Sequence, residues 1–198
     1  MVLATGNNGK VRELRNLLAD VPLELKSLRD FAGIMDVEET GTTFEENAVL
    51  KATGFARQTS HMALADDSGL EVEALGNRPG VHSARFAGEV GYEVKIKKLL
   101  DMLEAVGGTN RRARFVCVMA ISDPAGNVLH LARGECRGSL AERPRGTGGF
   151  GYDPIFIPHG YDLTFAEMGD DVKQRISHRG RAAELIIRFL LDFTGRLT

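Results

Sequence analysis

Four glycines fall within six residues at Gly146, Gly148, Gly149 and Gly151, and two aromatic rings, Phe150 and Tyr152, stand among them. Glycine loses more conformational freedom on folding than any other residue and brings no side chain to a core. The cluster therefore points to unusual backbone angles or to close approach by a ligand. Flat rings beside bare backbone N–H groups suit a molecule with a flat face and anionic oxygens, and a nucleotide has both. A tight hairpin with a phenylalanine plugging the core accounts for the same residues.

Three further segments carry chemistry. Thr5-Gly6-Asn7-Asn8-Gly9-Lys10 follows a short apolar run and precedes a helical pattern. Free N–H groups, the positive end of a helix dipole and a lysine then gather at one point, which is a phosphate site in principle. The spacing is too short for a Walker loop and no Ser or Thr follows the lysine, so a helix start capped by asparagine is the other reading. Glu38-Glu39 and Asp66-Asp67 are two acidic pairs placed by the sequence at turns or strand ends. Adjacent carboxylates repel unless a cation or proton sits among them, which makes Mg²⁺ between the pairs the economical reading, against ordinary Asp-rich surface turns. Ile176-Ser177-His178-Arg179-Gly180-Arg181 opens a helix with basic residues at its positive end, with Lys173 just upstream. Such a cluster calls for an anionic or hydrogen-bond-accepting partner, or is a solvated basic patch offsetting Asp170 and Asp171.

The elements that must position these groups follow from periodicity. Met1 to Ala4 reads as a buried strand and Val11 to Asp20 as a helix; Leu23, Leu25 and Leu28 alternate as a second strand. Thr42 or Thr43 caps a helix running to about Gln58, with Glu45 or Glu46 in capping-box spacing. Ala63 to Ala65 reads as a strand stopping at Asp66-Asp67-Ser68-Gly69, after which Leu70, Val72 and Ala74 alternate as a half-exposed strand. Tyr92 to Val106 is helical. Arg114 to Ser122 and Asn127 to Cys136 make a long hairpin joined at Asp123-Pro124-Ala125-Gly126. A strand at Pro154 to Ile157 and a last helix opened by Ser177 complete the chain. Helices and strands alternate early but a hairpin occupies the middle, which predicts an α/β fold on a mixed sheet.

The composition narrows the function classes. The 198 residues suffice for one domain with a full core, without a disulfide or metal staple. With 25 basic and 27 acidic residues the net charge is -2, which argues against a dedicated nucleic-acid binder. Cys117 and Cys136 lie in apolar or alternating stretches and read as small core residues of a reducing compartment. The apolar start is too short for a signal sequence or membrane span, so a soluble, cytoplasmic protein with no membrane partner is expected.

Taken together, Ala4 to Lys10, Phe44-Glu45-Glu46-Asn47-Ala48-Val49-Leu50-Lys51-Ala52, Ala65 to Leu70, Ser83-Ala84-Arg85-Phe86, Gly146 to Pro154 and Ile176 to Gly180 resemble the inosine triphosphate pyrophosphatase family in order and spacing. The resemblance implies a single domain over residues 1–198, an elongated mixed β-sheet with flanking helices, two lobes around a central nucleotide-binding cleft, and a homodimer. It also implies hydrolysis of dITP, ITP and XTP to the monophosphate and pyrophosphate. Carried over by position, Thr5, Gly6, Asn7, Asn8, Gly9, Lys10 and Lys51 would hold the triphosphate. Glu38 and Asp67 would hold Mg²⁺, with Asp67 also the general base. Ser68, Phe150, Gly151, Tyr152, Asp153, Lys173, His178 and Arg179 would hold the nucleoside.

Two readings from other classes compete. An aspartyl-nucleophile phosphatase could use Asp66-Asp67, but the usual Asp-x-Asp followed by Thr or Val is absent. A nucleotide sensor could share the same cradle without turnover. As for the base, hypoxanthine and xanthine present an acceptor at purine position 6 where adenine presents a donor, and Lys173 to Arg179 offers almost only donors. A site built to bond an acceptor rejects its opposite strongly, so ATP is expected to be a poor substrate. Arg179 is the first choice for the 6-oxo edge, with Phe150 stacking on the ring; Lys173, His178 or backbone N–H groups come next.

Overall fold

The chain is described from a computed structural model over residues 1–195. In chain order the elements are β1 (Val2–Leu3), α1 (Asn8–Leu17), β2 (Lys26–Ser27), α2 (Phe44–Thr59), β3 (Ala63–Val72), β4 (Arg78–Pro79), α3 (Tyr92–Ala105), β5 (Arg112–Ser122), β6 (Val128–Leu140), β7 (Phe156–Pro158), α4 (Asp170–Ile176) and α5 (His178–Gly195). The strands lie in the order β2-β1-β3-β5-β6-β7, with β4 on β3. β1 runs parallel to β2 and β3, whereas β3–β4 and β6–β7 are antiparallel. The mixed α/β sheet is thus the one the alternation and the hairpin call for.

Contacts group the residues into two compact units, each with its own core. The first takes Met1–Asp67, Cys117–Gly134 and the segment from Arg179 onward. Its core gathers Leu3 of β1, Leu14 of α1, Leu64 of β3, Met119 and Ile121 of β5, and Ile186 of α5. The second takes Ser68–Val116 and Glu135–His178, with Leu70, Val72, Leu99, Phe115, Ile155 and Phe156 among its buried residues. Each such side chain contributes about 1.5–3 kcal/mol relative to remaining exposed.

Local differences from the sequence reading concern the site directly. The largest is at the Asp66-Asp67 pair: instead of two strands broken by a turn, β3 is one ten-residue strand, buried along most of its length, and both carboxylates sit mid-strand. Asp-Asp-Ser-Gly is a turn composition, but local preference gives way where buried charges find partners, and here basic side chains converge on them. α1 begins at Asn8, three residues before the first apolar position, because Asn7 caps it. α2 starts where the capping box puts it, with Thr43 and Glu46 reciprocally bonded. The second strand is only Lys26–Ser27. Ser177 ends the short helix α4, which apolar periodicity does not reveal, and α5 begins at His178.

Candidate active site

In the first unit, neighbouring residues of β3 meet different partners because successive side chains of a strand point to opposite faces. Asp66, fully buried, lies 3.0 Å from Lys10 Nζ and 3.2 Å from an Arg179 amine. The other Arg179 amine reaches Glu13 of α1 at 2.6 Å. Burial alone would raise the Asp66 carboxyl, but Lys10, Arg179 and Lys51 outweigh it and hold the group well below the usual carboxylate range. Cys117 Sγ lies 3.9 Å from Asp66, and burial together with that negative charge pushes its thiol up to about 12.

Asp67 turns the other way, toward α2. Its Oδ1 accepts from Lys51 Nζ at 3.0 Å and its Oδ2 from Asn47 Nδ2 at 3.4 Å. The same ammonium reaches Glu39 Oε1 at 2.8 Å. Burial raises the Asp67 carboxyl above its ordinary value, more than Lys51 and Lys10 pull it down, and the Glu39 charge adds to the rise. Asn47 and Lys51 stand one helical turn apart on the same face of α2. Asn47 also accepts from Gly41 N at 2.8 Å, tying the segment after Glu39 to the helix.

The loop before α1 shows its polar atoms in detail. Asn7 Oδ1 accepts from Gly9 N at 2.9 Å and Lys10 N at 3.3 Å, Thr5 Oγ1 accepts from Asn7 N, and Asn8 Oδ1 accepts from Arg29. Gly6, Asn7 and Asn8 are exposed. The capping geometry aims the first turn of α1 and its dipole outward, with Lys10 beside it.

In the second unit, Gly146, Gly149 and Gly151 all have positive φ. At Gly149 (φ +67°) an added Cβ would stand 2.1 Å from Asp153 Oδ2, so the glycine is required by the loop's own architecture. That oxygen accepts from Phe150 N and from Lys173 Nζ, each at 2.7 Å. Lys173, on α4, also lies 4.9 Å from the Phe150 ring centre. Asp153 thereby holds both the ring and the ammonium. Phe150 and Gly151 are half-buried, whereas Tyr152 belongs to the core, with its hydroxyl on the Ser83 carbonyl at 3.1 Å and its ring edge-on to Tyr92. His178 is buried and stacks on Phe115 at 4.6 Å between centres. Ser68, next to Asp67 in the chain, is half-buried.

The structure thus brings Lys10, Lys51, Asp66, Asp67 and Arg179 together in one unit and Phe150, Asp153 and Lys173 in the other. Arg179 is bonded to Asp66 and Glu13. Glu38 is exposed, and its neighbour Glu39 is the one on Lys51. Glu13 carries no signal in the sequence; Asn47 stands in the motif of residues 44–52, four residues before Lys51, without a role of its own; and Glu39 belongs to the acidic pair of which the resemblance names only Glu38.

Among the described residues no three His, Cys, Asp or Glu side chains converge as metal ligands. Carboxylate oxygens at Asp67 and the Glu38-Glu39 segment nonetheless fit a hard ion such as Mg²⁺. That ion is commonly held by one or two carboxylates and completes its shell with water and phosphate oxygens.

Lysines around strand-borne carboxylates mark the first unit, and an aromatic glycine loop marks the second. The chain belongs to the Ham1 family, whose sequence profile it matches over residues 1–189. A dITP/XTP pyrophosphatase of Bacillus anthracis is 50% identical over 184 residues, covering 92% of this chain and 91% of the relative. Another from Desulforamulus reducens is 48% identical over 191 residues, covering 96% and 94%. Among solved structures, a HAM1 protein from Coxiella burnetii superposes with a TM-score of 0.89 at 42% identity, covering 96% of this chain and 98% of that one.

Proposed function

We propose that the chain hydrolyses non-canonical purine nucleoside triphosphates, dITP, ITP and XTP, to the monophosphate and pyrophosphate. The observation that carries the reading is Lys51 held between Asp67, mid-strand on β3, and Glu39, in a chain half identical to proteins called dITP/XTP pyrophosphatases. The capped start of α1, Lys10 and Lys51 are assigned to the phosphates. Phe150 is assigned to the face of the base, and Ser68, Gly151, Asp153, Lys173 and His178 to the nucleoside.

Asp67 and the Glu38-Glu39 segment would hold Mg²⁺, which when bound offsets phosphate charge and lowers the pKa of a coordinated water. Asp67 accepts the proton of the attacking water. Lys51 keeps that carboxylate oriented through its 3.0 Å contact and, with Lys10, stabilises the negative charge of departing pyrophosphate. No side chain needs to bond covalently to phosphorus.

Base choice follows from the donors. Lys173, held by Asp153 at 2.7 Å beside Phe150 on the same unit, is the donor assigned to the 6-oxo edge, ahead of Arg179, which lies with Asp66 and Glu13 in the other unit. A homodimer and a cytoplasmic setting complete the proposal; both rest on the family resemblance and on the sequence. The test is turnover of ITP, dITP, XTP and ATP with Mg²⁺. Efficient use of the first three with poor use of ATP is expected; equal use of all four would contradict the base assignment.

A further inference from the structure

We infer that Ser83 is a positioning residue for the base-binding segment, an inference that rests on the function proposed above. Ser83 is buried and belongs to the Ser83-Ala84-Arg85-Phe86 motif, which has no role in the chemistry so far. Its hydroxyl accepts from Leu70 N of β3 at 2.9 Å and donates to Gly80 O at 2.6 Å. Its own carbonyl accepts the Tyr152 hydroxyl at 3.1 Å. One residue therefore grips β3 two positions beyond Ser68 and, through its backbone, the loop that carries Phe150 and Asp153.

The grip is reinforced from α3. Lys95, a buried lysine, donates to the carbonyl of Ala84, the next residue, and lies 5.1 Å from the centre of the Tyr92 ring. Tyr92 packs edge-on against Tyr152 at 5.3 Å. A buried ammonium is costly unless it is bonded, and here it is bonded to the segment that holds Tyr152. Tyr152 is separated from Phe150 only by Gly151, a positive-φ residue with little backbone restraint of its own. Without the Ser83 anchor, the segment that carries the Phe150 ring is less firmly fixed, and the affinity lost is that for the purine nucleoside, while phosphate affinity depends on Lys10 and Lys51 in the other unit.

Two variants test this in the full chain: Ser83→Ala, which removes the hydroxyl, and Tyr152→Phe, which removes only the bond to the Ser83 carbonyl and keeps the ring. Calorimetry with inosine monophosphate and with pyrophosphate, each alongside Mg²⁺, reads the two halves of the substrate separately. Both variants should weaken inosine monophosphate about fivefold to tenfold, the effect of losing one buried hydrogen bond, and leave pyrophosphate binding unchanged. In turnover the same factor should appear in KM for ITP with kcat near wild type. Should Ser83→Ala prove unfolded, Tyr152→Phe alone decides. Unchanged inosine monophosphate binding in folded Tyr152→Phe, or equal losses for both ligands, overturns the inference. If the wild type binds inosine monophosphate but does not hydrolyse ITP, the proposed function fails while the calorimetric comparison still judges Ser83.

Discussion

Asp66 and Asp67 are chemically identical neighbours with different surroundings, and substitution should separate them. Asp66→Asn keeps the shape but leaves Lys10 and Arg179 facing each other without their shared counter-charge, so a loss of about 3–5 kcal/mol of stability is expected. The Asp66 pKa is depressed by folding, so its contribution is present above the unfolded-chain value of about 4 and is lost as pH falls through the lower folded value. Denaturant titrations at pH 7 and at progressively lower pH should show the gap between wild type and Asp66→Asn closing toward acid; a gap constant with pH would refute the ionised assignment. Asp67→Asn should instead fold normally and lose about 10² to 10⁴ in kcat, the range for a removed general base. Turnover near wild type at saturating Mg²⁺ would remove Asp67 from that role. Cys117, with its thiol pushed up to about 12 and no exposure, should stay unmodified by thiol reagents at pH 8 until the chain is denatured. The sequence made the carboxylate pair conspicuous but put it at a turn, because the charges that let it be buried come from α1, α2 and α5, remote in the chain.

Among the elements, those with their own local code were the legible ones. α2 is announced by Thr43 and Glu46 and positions Asn47 and Lys51, so Thr43→Ala should cost about 1 kcal/mol and lower the melting temperature without altering substrate preference. The glycine loop was legible as a backbone requirement. Gly149→Ala sets a Cβ against Asp153 at an unfavourable φ, so it should loosen Phe150 and raise KM for ITP and ATP by a similar factor, since stacking ignores the edge of the base. A selective loss of ITP would mean the loop also reads the 6-oxo group. The short helix α4 stayed hidden because seven residues give too few turns for periodicity, yet it carries Lys173. The role of Glu39 was hidden for another reason: which of two adjacent glutamates meets Lys51 depends on how an irregular segment lies, and nothing in its composition fixes that.

For the molecule as a whole, the alternation of elements and the central hairpin specify a mixed α/β sheet, and the spacing of six motifs specifies the family. The two cores and the partition of site residues between them did not follow from periodicity, since β3, β5 and β6 each contribute residues to both units. Among the described residues no helix is long and apolar enough to cross a membrane. Light scattering should give a mass about twice the 21.6 kDa of one chain; the single-chain mass at micromolar concentration would count against the dimer. The reaction itself is tested most directly by separating the products of ITP hydrolysis with Mg²⁺ on an anion-exchange column. Pyrophosphate released in equal amount with inosine monophosphate is the predicted result, and orthophosphate released with inosine diphosphate would contradict it.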